Sequence, residues 1–124
     1  MDNSQNKVMV ENILNQMSEA MGEELPNSIK LASEVMPEMV IEHAQNNGFA
    51  MPKEGGFLDN ETRTLIYLGI ALATNSTACI KAMMNKAIKA GISKERILET
   101  VKIARFAEAT RVIGNAEEVF KKLK

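Results

Sequence analysis

Leu58-Asp59-Asn60-Glu61-Thr62-Arg63-Thr64-Leu65-Ile66-Tyr67-Leu68-Gly69-Ile70-Ala71-Leu72-Ala73 runs directly into Thr74-Asn75-Ser76-Thr77-Ala78-Cys79-Ile80. Asp59 is a good N-cap, so the spacing predicts a helix from Asn60 to about Thr74. From Leu65 to Ala73 that helix is apolar nearly all the way round, as expected of one packed on several sides. The run is less than half the length that spans a bilayer, which requires about 20 residues. It reads as a core helix. Asn75-Ser76 then starts another helix, with Ile80, Met83, Met84, Ala87 and Ile88 on its apolar face and Gly91 as its C-cap.

Every substantial segment on either side repeats its apolar residues at helical spacing, and none keeps a period of two. A first helix is predicted from Gln5 to Met21, ended by Gly22. Pro26 opens a second segment carrying Ile29, Leu31, Ala32 and Val35; Pro37 breaks or restarts it, and Met39, Val40 and His43 continue its face. Asn46-Asn47-Gly48 reads as the stop. A loop with Pro52 and Gly55-Gly56 follows, from Phe49 to Leu58. Ser93 caps a fifth helix bearing Ile97, Leu98, Val101 and Ala104, and a last one carries Val112, Ala116, Val119, Phe120 and Leu123. The reading is an all-α multihelical bundle of about six helices. It forms one domain over 1–124, with a helical pair at 5–48 and a more strongly patterned core at about 58–116.

Composition removes several classes of function. The chain has nine methionines and few aromatics, giving a deformable aliphatic core. Formal net charge is −1 with the two signs interspersed, so the basic stripe needed for nucleic acid is missing. One cysteine, Cys79, excludes an intrachain disulfide scaffold. The stretch Met1-Asp2-Asn3-Ser4-Gln5-Asn6-Lys7 is not patterned as a signal peptide, and the cytoplasm is the expected location, without membrane attachment. A small domain has little room to surround the 60–74 helix, so a partner surface is expected to cover part of it. Self-association is the simplest source.

The stretch from Leu58 to about Ala116 resembles the carboxymuconolactone decarboxylase/AhpD-like (alkylhydroperoxidase-like) family. The resemblance rests on the Leu58-Asp59…Thr62-Arg63 opening, the small-residue apolar helix, and the Cys79-bearing helix start. It is completed by Ala90-Gly91-Ile92-Ser93 followed by Glu95, Ile97 and Glu99. It implies an AhpD-like fold, a homotrimer or homohexamer, and peroxidase (peroxiredoxin-type) or decarboxylase chemistry. It also implies a catalytic set of Glu, a C-x-x-C pair and His. Laid onto this chain, the Glu position holds Thr64, the first Cys position Ser76 and the His position Met83, while the second Cys is retained as Cys79.

The residues themselves narrow the chemistry. Cys79 stands near a helix start, where the backbone favours an anion by about 0.3–1 kcal/mol, and Met83 one turn along would dry the site. Ser76 preserves the spacing to Cys79 but cannot form a disulfide; it is expected as the N-cap, its hydroxyl accepting from Ala78 or Cys79 N–H. His43 is the only imidazole available as a base, and its face could approach the Cys79 helix. One His and one Cys cannot build a structural zinc site, so no metal or cofactor is expected. Arg105, Glu108 and Arg111 have the spacing of an ion-pair cluster, and Lys81, Lys86, Lys89, Lys121, Lys122 and Lys124 read as a solvated face. Three functions stay open: a thiol redox protein using Cys79 alone, a decarboxylase-like lyase with an altered site, and a catalytically silent oligomer binding a small molecule or partner.

Overall fold

The computed structural model describes residues 3–22 and 24–124. Met1 and Asp2, part of the N-terminal stretch considered above, lie outside them. Among the described residues, seven helices make up the regular structure: α1 (Asn3–Met21), α2 (Asn27–Val35), α3 (Pro37–Ala50), α4 (Asn60–Ala73), α5 (Thr77–Lys89), α6 (Lys94–Asn115) and α7 (Glu117–Leu123). No strand occurs among the described residues. No helix there is long and apolar enough to cross a membrane.

Prolines set the breaks in the N-terminal half. Met36 precedes Pro37 and takes φ −146° and ψ 74°, outside the helical region, because the proline ring disfavours α conformation in the residue before it. Pro37 therefore separates two helices. The expected stop at Asn46-Asn47-Gly48 does not occur: α3 runs on to Ala50 and ends at Met51, the residue before Pro52. Weak helix formers on an exposed surface cost less than continuing into a proline.

The C-terminal half departs from expectation in the same sense. The fifth helix continues to Asn115, so Val112 belongs to α6, and only a turn at Ala116 separates α6 from the short α7. Ser93 accepts from Arg96 N–H at 3.2 Å at its start. Residues 105–111 contain no breaker, so nothing interrupts the backbone ladder where the apolar pattern changes.

Two helix trios share α5. α1 packs on α3 and α5, while α4 packs on α5 and α6. Asn85 of α5 donates its side-chain N–H to the Met21 carbonyl, tying α5 to the end of α1. Among the described residues the buried ones are Val10, Met21, Val40, Thr64, Leu68, Ala71, Ala87 and Ile92, a thin core in which Leu68 is the one large side chain fully enclosed. α6 has no buried residue along its 22 positions. The accessible surface is 9516 Å². A folded monomer of 13.7 kDa is expected to expose about 6,600 Å². Much of the excess is apolar: Ile66 and Ile70 of α4, Ile103 and Phe106 of α6, and Val119 and Phe120 of α7 are all exposed.

Candidate functional site

A cavity of about 390 Å³ opens between the end of α3, the loop before α4, the exposed flank of α4 and the first turn of α5. α4 contributes Arg63, Ile66, Tyr67, Ile70 and Ala71, a single helical face at spacings of three and four, and its C-cap Thr74 continues that face. Ala50 and Met51 close the α3 side, Leu58 comes from the loop, and Ser76 and Cys79 come from α5.

The turn between α4 and α5 brings the sulfur to this face. Asn75 adopts φ 57°, in the left-handed region that asparagine tolerates better than most residues. Ser76 N–H donates to the Ala71 carbonyl at 2.9 Å, the long hydrogen bond of a Schellman turn. The chain reverses within these residues, and Cys79 arrives in the first turn of α5 beside Tyr67. Tyr67 Oη and Cys79 Sγ are 3.2 Å apart, and either can donate. Hydrogen bonding to Cys79, followed by burial and the charge of an ionised sulfur, pushes the Tyr67 phenol up to about 12. The phenol therefore keeps its proton at neutral pH. Facing a thiolate, it acts as the donor.

Arg63 enters the cavity wall from the first turn of α4. Asp59 anchors that turn by accepting from Thr62 N–H at 2.7 Å, and this bond holds the Asp59 carboxyl below its usual range. Arg63 Nη2 donates to Asn60 Oδ1 at 3.1 Å, while Arg63 Nε is buried without a hydrogen-bond partner. The loop lies close over the guanidinium. A Cβ at Gly56, where φ is +83°, would stand 3.1 Å from Arg63 Nη1.

The other expected site residues are scattered. Thr64 is buried and donates its hydroxyl to the Asn60 carbonyl at 2.8 Å, so it does not line the cavity. Ser76 does line it and occupies the N-cap position of α5, but its side chain makes no capping hydrogen bond. The expected acceptance from Ala78 or Cys79 is therefore absent; the backbone bond to Ala71 fixes this turn instead. Met83 is half-buried one turn beyond Cys79 and outside the lining. His43 lines a separate cleft of about 140 Å³ with Met17, Ile29 and Val40, so the structure does not bring it to Cys79. Glu108 pairs with Arg111 at 2.6 Å on an exposed surface, and Arg105 takes no part in that pair.

With this arrangement in view, the sequence model of the carboxymuconolactone decarboxylase family matches residues 39–122. The chain belongs to that family. The match takes in α4, the Schellman turn and the first turn of α5, hence most of the cavity wall. No curated protein matches the chain. Among solved structures, its fold is similar to the alkylhydroperoxidase AhpD core from Rhodospirillum rubrum ATCC 11170. The TM-score is 0.67 at 21% identity, covering 95% of this chain and 88% of that one.

Sequence reasoning misses both Tyr67 and Arg63, although each lies within the family-like stretch. A signal existed for Tyr67: its hydroxyl is the only one between Leu65 and Ala73, and a phenol drawn into an apolar face must find a partner. Its partner lies across the Asn75 turn and cannot be read from helical spacing.

Proposed function

We propose that this family member is a thiol-dependent redox protein of peroxidase type, in which Cys79 reacts alone and Tyr67 takes the part of proton donor. The observation that carries the reading is the 3.2 Å contact between Tyr67 Oη and Cys79 Sγ at the wall of a small-molecule-sized cavity. A Cys79 thiolate attacks one oxygen of a hydroperoxide; the S–O bond forms as the O–O bond breaks. The leaving alkoxide is a stronger base than phenolate and takes the Tyr67 proton, which solvent then restores. Sulfur is oxidised to a sulfenic acid, and the peroxide is reduced to alcohol. Ser76 offers no second sulfur, so an external thiol attacks the sulfenic acid and releases water. A second equivalent of that thiol cleaves the mixed disulfide, returning Cys79–SH and a small disulfide.

The same reading includes a homo-oligomer, a trimer or hexamer, located in the cytoplasm. Its support is the exposed surface of about 2,900 Å² beyond that of a monomer of this mass, an area in the range that obligate interfaces bury. The test is consumption of cumene hydroperoxide with dithiothreitol as reductant. Turnover that is lost in Cys79→Ser and slowed in Tyr67→Phe supports the proposal. Equal turnover by Cys79→Ser contradicts it, and absence of turnover leaves a silent ligand-binding oligomer as the better reading.

A further inference from the structure

Of the other three arginines, two meet carboxylates and the third, Arg105, is exposed to water. Arg96 pairs with Glu61 across α4 and α6, and Arg111 pairs with Glu108 within α6. Arg63 differs. Among the described residues no carboxylate lies within salt-bridge distance of it, and its protein acceptor is the neutral Asn60 side chain. Glu61, two positions away, is already engaged by Arg96. Arg63 is half-buried, the Gly56 loop lies against Nη1, and Nε is shielded from water without a hydrogen-bond partner, so part of its hydration is lost with no counter-ion in exchange. A partly shielded guanidinium gains from an anion that reaches it, and its planar fork suits a carboxylate.

The rest of the wall specifies the body of that anion. Met51, Leu58, Ile66 and Ile70 give the cavity an apolar lining, which a bare inorganic anion would leave unfilled. We infer that the Cys79 cavity takes an amphipathic monocarboxylate, its carboxylate held by Arg63 and its hydrocarbon body laid along Ile66 and Ile70. Arg63 and Tyr67 line the same wall one helical turn apart, so a molecule anchored at Arg63 extends along the wall that carries the Tyr67–Cys79 contact. On the peroxidase reading, on which this step rests, the preferred oxidant is a hydroperoxide that carries a carboxylate.

Binding requires no thiol chemistry, so it is measured separately, by calorimetry with octanoate, octanol and inorganic phosphate on the whole chain. Octanoate should bind saturably and at least about tenfold more tightly than octanol or phosphate, as expected of a charge-assisted hydrogen bond in a shielded site. Arg63→Gln should remove that preference while keeping octanol binding, and Arg63→Lys should restore part of it. If the Arg63 variants fail to fold, salt decides on the wild type: added chloride should weaken octanoate and leave octanol unchanged. Equal binding of octanoate and octanol by the wild type overturns the inference, as does octanoate binding that survives in folded Arg63→Gln. So does absence of octanoate binding, the result expected if a carboxylate of a second copy already covers Arg63. Octanoate selectivity with an inert thiol would remove the peroxidase reading and leave this one standing; sulfenic acid formation without selectivity would do the reverse.

Discussion

Tyr67 Oη meets Cys79 Sγ at 3.2 Å across the turn that joins α4 to α5, and this contact couples the one tyrosine of the chain to its one cysteine. On the proposed redox reading, the phenol donates its hydrogen bond to the reacting sulfur and later gives its proton to the leaving group. The sulfur keeps the phenol protonated.

The tyrosine reports its own state, since the chain has one Tyr and no Trp and its phenolate absorbance is unobstructed. Tyr67 should titrate near 12, raised from 10.0, because hydrogen bonding to Cys79 favours the neutral phenol. Cys79→Ala should bring the midpoint back toward 10. The linkage has a definite sign: a phenol whose folded value lies above its unfolded one contributes stability that is complete below about pH 10 and lost as pH rises through about 12. Wild type should therefore lose stability relative to Tyr67→Phe within that window. A midpoint at 10 in the wild type would mean that the contact is not maintained in solution.

How far the fold was legible depends on where the information lies. Asp59, Ser93, Gly91 and Pro37 act locally, and each sets a helix end where the sequence indicates it. Gly91 takes φ +70° after α5, and Ile92 N–H returns to the Ala87 carbonyl at 3.0 Å, with the Ile92 side chain buried against the core. The α3 and α6 ends are not legible in the sequence, because Asn46-Asn47-Gly48 and the change of apolar pattern after Ala104 are weak signals beside an unbroken ladder. In the site, Cys79 and Ser76 were readable from the family pattern. Tyr67 and Arg63 required the turn at Asn75 and the cover of Gly56, both tertiary facts.

Restoring the family motif should come at a structural cost. Thr64 is 3% exposed and its hydroxyl is bonded to the Asn60 carbonyl, so Thr64→Glu puts a carboxylate where no room or partner exists. The triple variant Thr64→Glu, Ser76→Cys, Met83→His should unfold at lower temperature than Ser76→Cys alone, by a loss of about 1–3 kcal/mol. Calorimetry of the two variants checks this. Equal thermal midpoints would show that α4 can rotate to accept the carboxylate.

Self-association should depend on the groove between α4 and α6, about 490 Å³ and lined by Ile66, Gly69, Ile70 and Ile103 among others. Ile103 is 64% exposed and Phe106 74% exposed on α6. Ile103→Asp with Phe106→Asp should shift the particle mass in light scattering from a multiple of 13.7 kDa toward the single chain. A wild-type protein that is monomeric at micromolar concentration would contradict the account of its exposed helices.

Trapping the first oxidised state of Cys79 decides whether this thiol is a reactive centre supported by Tyr67. Wild-type protein exposed to cumene hydroperoxide in the presence of dimedone, then mapped by mass spectrometry, should carry one sulfenic acid adduct at Cys79. Tyr67→Phe should form it about tenfold to hundredfold more slowly, the loss expected when a charge-assisted hydrogen bond is removed from the reacting group. No adduct in the folded wild type, or equal rates in wild type and Tyr67→Phe, would contradict the claim.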